Sequence, residues 1–145
     1  MLKLKLILAA LFIPFLVFFL LFAWRLKEKH DYPYKMVLAK EIRKVMSRMM
    51  FDVREAKQAS IREVPLDGQW HSRIAFDRID EGLVEYVVLE DHLIRLNHNH
   101  TEPVAQYISS IRIRRPTNEA DVLEIQIKAK KGVSLMSSFK IRVRN

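Results

Sequence analysis

The chain has 145 residues, half of them hydrophobic, and its 25 lysines and arginines outnumber 17 aspartates and glutamates for a formal charge of +8. That length allows one domain once an anchor is subtracted. The lack of cysteine excludes a thiol nucleophile and leaves the redox compartment open, and the three glycines form no phosphate-binding loop.

Residues 1–5 are a short basic start. From Leu6 to Trp24, 19 consecutive residues carry no charge. As a helix rising 1.5 Å per residue this run measures about 28 Å, close to the roughly 30 Å hydrocarbon core of a bilayer. It is not amphipathic, and it is longer than the apolar core of a cleaved signal peptide. The reading is a transmembrane helix over 6–24, kinked at Pro14 and closed by Trp24 at the interface. The short N-terminus would lie in the cytoplasm. The chain is then expected to be a single-pass protein of a bacterial inner membrane, with its C-terminal domain on the periplasmic or extracytoplasmic side.

Residues 25–61 read as a polar break, Lys27–Asp31, followed by an amphipathic helix with Pro33 near its first turn. Val37, Leu38, Ile42, Val45, Met46, Met49, Met50, Val53 and Ala56 recur at spacings of three and four, which places them on one face. Lys40, Arg43, Lys44, Arg54, Glu55 and Lys57 mostly take the other. The helix is expected to end near Ile61, before Pro65 and Gly68. Over 62–145 the period changes to two. Strands are expected at Arg73–Phe76, Leu83–Leu89, His92–Asn97, Tyr107–Arg115, Val122–Lys130 and Phe139–Arg144, with Asn97–Pro103 as a polar loop. The predicted fold class is therefore α+β, with a transmembrane helix continuing into a long amphipathic helix packed on one antiparallel sheet.

The last strands alternate strictly. Ile111, Ile113, Leu123, Ile125, Ile127, Phe139, Ile141 and Val143 fall on one face. Residues 107–145 also hold nine basic side chains against three acidic ones, so most of the excess charge belongs to the opposite face. Arg112, Arg114, Lys128, Lys130, Lys140, Arg142 and Arg144 form a candidate face for a partner or an anionic ligand such as a polysaccharide, lipid head groups or nucleic acid. Nucleic acid is disfavoured because no aromatics interleave with these cations. The plainer reading is a solvated face that discourages edge pairing.

No catalytic constellation emerges. Ser134, Ser137 and Ser138 lack a nucleophile-elbow context. His92, His98 and His100, near Asp91 and Glu102, match no metal-ligand spacing. The triplet Asn99-His100-Thr101 fits a glycosylation sequon. No enzyme activity, cofactor, metal or small-molecule substrate is expected.

Three segments carry a resemblance: Ile42–Ala56 in the second helix, Val84–Arg95 across a Tyr-containing strand, a turn and Leu93-Ile94-Arg95, and Val104–Ile113. Together with the order of anchor, helix and sheet, they are similar to type IV pilin-like proteins, especially the J-type minor pseudopilins of type II secretion systems. The family's Gly-Phe-Thr-Leu-Ile-Glu processing signal is absent, since Leu2–Phe12 holds no glycine, threonine or glutamate. The resemblance implies a non-enzymatic membrane subunit of a type II secretion or type IV filament apparatus, acting by helix and sheet packing with other pilin-like or secretion subunits. The alternative is a membrane-tethered module whose basic sheet face binds an anion.

Overall fold

A computed structural model describes the backbone of residues 2–56, 60–98 and 100–143, with side chains from Phe12 onward. One helix, α1 (Leu2–Arg54), precedes seven strands: β1 (Ile74–Arg78), β2 (Gly82–Leu89), β3 (His92–Asn97), β4 (His100–Gln106), β5 (Ile108–Arg114), β6 (Val122–Lys131) and β7 (Val133–Arg142). The chain divides into two compact units, residues 1–34 and 35–145.

The helix is continuous where a polar break was expected at Lys27–Asp31. Lys27, Glu28 and Lys29 are charged, but they are also strong helix formers, and no glycine occurs before position 68. Pro14 and Pro33 both lie inside α1. The helix stops at Arg54 rather than near Ile61. Its last turn tightens, with Glu55 N–H donating to Asp52 O at 3.2 Å and Ala56 N–H to Val53 O at 3.2 Å, and Ala56 then bridges to Arg78. The expected helical residues 57–59 lie outside the described residues.

The transmembrane expectation is corrected. Among the described residues no helix is long and apolar enough to cross a membrane. Residues 6–11 of the expected span lie outside those whose side chains are described. A membrane-spanning helix over 6–24, single-pass anchoring in an inner membrane and a periplasmic domain are therefore not supported.

In residues 35–145 the stripe on α1 is buried as far as its spacing allows. Leu38, Val45, Met49 and Val53 are fully covered, and Ile42 nearly so. They join one apolar cluster with Ile74, Phe76, Val84, Tyr86 and Leu93 and with Ile111, Ile113, Leu123, Ile125 and Ile127. Each such side chain contributes about 1.5–3 kcal/mol when taken from water.

Two antiparallel sheets replace the single sheet expected. One has the order β1-β2-β3-β4, the other β5-β6-β7. The change of sheet falls at Tyr107, the one residue between β4 and β5, which adopts a left-handed φ of 62°. That turn breaks the ladder, and Ile108 N–H donates to Asp91 O at 2.8 Å instead. The expected loop Asn97–Pro103 largely becomes β4, whose Pro103 and Glu102 pair with Ile94 and Arg95. A proline is tolerated there because β4 is an edge strand. The last strand begins at Val133 rather than Phe139, folded back by Gly132 at φ 71°.

Candidate functional site

The densest polar chemistry lies where sequence reading placed only core. Asp52, on the buried stripe of α1, is 0% exposed. Its Oδ1 accepts a hydrogen bond from Arg78 Nη1 of β1. Its Oδ2 accepts from Tyr86 Oη of β2 at 2.7 Å and from Arg95 Nε of β3 at 2.5 Å. One carboxylate thus ties the helix to three consecutive strands. Around it Arg78 forks onto Asp80 at 2.9 and 2.6 Å, and Arg95 Nη2 donates to Glu81 Oε2. Asn97 Nδ2 donates to the same Glu81 oxygen at 3.2 Å. Arg48, one turn before Asp52, donates through Nη2 to Glu102 at 3.0 Å. Its buried Nε lies 3.9 Å from Asp52 Oδ2 without a hydrogen bond. The outer face of the Arg78 guanidinium covers the Phe51 ring at 5.2 Å.

The electrostatics hold these groups in their charge states. Burial works against the cation on Arg95, yet the hydrogen bonds to Asp52 and Glu81 outweigh it, and the pKa is raised. Arg78 is raised in the same way by Asp80 and Asp52. Burial, reinforced by Asp52, pushes the Tyr86 phenol far up. The Glu81 carboxyl is held below its ordinary value chiefly by the Arg95 hydrogen bond. Both Asp52 oxygens are occupied, and the donors around them do not release protons near neutrality. Such a cluster is suited to bracing α1 against the sheet rather than to acid–base chemistry.

The signal for it was present in the pattern. Asp52 follows Met49 by three positions and Val45 by seven, so it falls on the apolar face of α1. Arg78 shares parity with Ile74 and Phe76, and Arg95 with Leu93, all of which point inward. Three charges in the inward phase of three elements are expensive to bury singly and are tolerated together.

The sequence-predicted basic face is located on β5, β6 and β7. Arg112, Arg114, Lys128, Lys130, Lys140 and Arg142 alternate with the buried side chains, and Arg144 lies outside the described residues. The structure does not gather the six into one cationic site. Glu124 receives Arg114 Nε at 2.5 Å and Lys140 Nζ at 2.8 Å, and Asp121 pairs with Arg142 at 3.0 Å. Arg114 is also stacked over Trp70 at 4.6 Å. Only Arg112, Lys128 and Lys130 lack a carboxylate partner among the described residues. Among the described residues, no group of three or more histidines or acidic residues is placed to hold a metal ion; His92 pairs with Asp91 at 2.6 Å.

No protein-family model, curated protein or solved structure matches the chain. The comparisons thus give no support for a place in a secretion or pilus apparatus, and that expectation is withdrawn.

Proposed function

We propose that the chain is a non-enzymatic assembly subunit, in which the first part of α1 packs laterally against helices of partner subunits. The observation that carries this reading is the surface of α1 from Phe12 to Trp24. Every side chain there is exposed and, apart from Pro14, apolar or aromatic, on all sides of the helix. Phe12, Phe15, Phe18, Phe19, Phe22 and Trp24 are each more than half exposed. A helix that is apolar all round is stable when something covers it, and contiguous apolar surface of this size marks an interaction site. The network around Asp52, whose two carboxylate oxygens are both taken, fits the same role, because it stiffens residues 35–145 without offering a reactive group.

Site-specific photo-crosslinking from position 18 in the full-length chain tests this. Cross-links to a defined protein helix, lost when Phe15 and Phe22 are replaced by serine, are the expected result. Cross-links to lipid alone, or none at all, would overturn it.

A further inference from the structure

We infer that residues 35–145 contain a peptide-binding groove, between α1 and the edge strand β4, which takes an acidic segment with an apolar end. The groove has a volume of about 700 Å³ and is lined by Lys40, Arg43, Lys44 and Arg48 on α1 and by Glu102, Pro103 and Val104 on β4, with Phe51 at its far end. It stands apart from the reading of α1 above, which concerns Phe12–Trp24.

The charges along the groove are unevenly matched. Lys44 is held by Glu41 at 2.7 Å and Arg48 by Glu102 at 3.0 Å. Lys40 and Arg43, both exposed, form no ion pair among the described residues, although Lys40 helps Lys44 hold the Glu41 carboxyl ionised. One end therefore presents two cations without a direct carboxylate contact. The other presents Phe51, 55% exposed, with Pro103 and Val104 along the β4 wall between the two ends, since Glu102 meets Arg48 and Gln106 meets Glu41. From Lys40 to Phe51 the helix rises about 16 Å, the length of about five extended residues.

The edge of β4 argues for recognition by side chains rather than by strand addition. Pro103 has no N–H to offer, and the Gln106 N–H already donates to Glu41 Oε2 at 3.0 Å. The aromatic content argues for peptide over nucleic acid. Among the described residues Phe51 is the groove's lone aromatic ring, and the Arg78 guanidinium already stacks on it. Acidic side chains over Lys40 and Arg43, followed by an apolar one against Phe51, satisfy both ends.

The test is fluorescence anisotropy of the full chain with a labelled peptide of glutamates ending in leucines. Its counterpart with glutamine in place of glutamate and a single-stranded oligothymidylate serve as comparators. The peptide is expected to bind, more weakly as salt rises. Lys40→Glu with Arg43→Glu should weaken it about tenfold or more, and the milder Lys40→Gln with Arg43→Gln by less. The same charge change made as Lys27→Glu with Lys29→Glu should leave binding intact. Equal loss in both charge-reversed proteins would show attraction to net charge and overturn the groove. Tighter binding of the oligonucleotide would overturn the ligand class, and absence of peptide binding to chain shown folded by circular dichroism would overturn the proposal outright.

Discussion

Arg95 Nε and Asp52 Oδ2 meet at 2.5 Å although 43 residues separate them, with the Arg95 side chain 2% and the Asp52 side chain 0% exposed. An ion pair this deep does not repay its desolvation by attraction alone, so its full set of hydrogen bonds decides whether it stabilises. Here every oxygen of the carboxylate is used, and the guanidinium passes its remaining charge outward to Glu81. The pair converts a long-range contact between α1 and β3 into a requirement of the fold.

Removing the central charge should therefore be costly. Asp52→Asn keeps the shape but leaves Arg78 and Arg95 buried without their shared anion, and it should destabilise the chain by about 3–5 kcal/mol. Adding Arg95→Met to that variant should cost less than the two changes summed, because the residues share one network. Urea denaturation of the four proteins measures both. Additive losses, or an Asp52→Asn midpoint unchanged from the parent, would remove the bracing role.

Tyr86 makes a narrower point. Its hydroxyl donates to Asp52 from a site with no exposed surface. Tyr86→Phe retains the ring contact with Phe76, whose centroid is 6.4 Å away, and should cost about 1–3 kcal/mol for the donor lost to a buried carboxylate. The raised pKa has a separate signature. In an alkaline absorbance titration, parent and Tyr86→Phe chains should show the same phenolate signal while folded. The parent should gain one further phenolate on unfolding.

These residues also show how much of the molecule was legible. The stripe Leu38–Val53 and the alternation of Ile111, Ile113 and Leu123–Ile127 could be read by eye, because burial of apolar side chains repeats at 3.6 or 2 residues. The split into two sheets could not, since it turns on a single left-handed φ at Tyr107, a residue type with no preference for that region. β4 reads as a loop because Asn97, Asn99, Glu102 and Pro103 are depleted in strands, and its place is decided by pairing with β3. The Asp52 network was legible as charges out of phase, but their pairing required the topology. The grouping of Lys40, Arg43 and Lys44 with Val104 likewise depends on where β4 lies against α1.

The turn before β2 bears on the network, because Asp80 and Glu81 both lie in it. Gly82 ends this turn with φ 74°, and a Cβ there would meet nothing within 4 Å. Gly82→Ala should cost about 1–2 kcal/mol from the left-handed backbone alone. Gly82→Asn should cost less, since asparagine tolerates that region. Thermal melts of both proteins check the order; an alanine variant as stable as the parent would mean that the turn relaxes freely.

Glu81 gives the network its dependence on pH. Its folded-state pKa is depressed below the ordinary glutamate value of 4.5, first by the Arg95 hydrogen bond, against some burial, with help from Asn97. A carboxyl depressed in the folded state binds protons more readily when unfolded. Its contribution is therefore fully present above pH 4.5 and is lost as pH falls through the folded value. Glu41 is depressed too, where Lys44 and the Gln106 N–H outweigh burial, and acts in the same direction. The parent chain should thus lose stability progressively below pH 4.5. Glu81→Gln should be less stable than the parent at pH 7, and the gap should close in acid as the parent's own carboxyl protonates. Urea midpoints for the two proteins across this range decide it. A gap that persists unchanged at low pH would mean that Glu81 acts through its shape and neutral hydrogen bonds, and not through its charge.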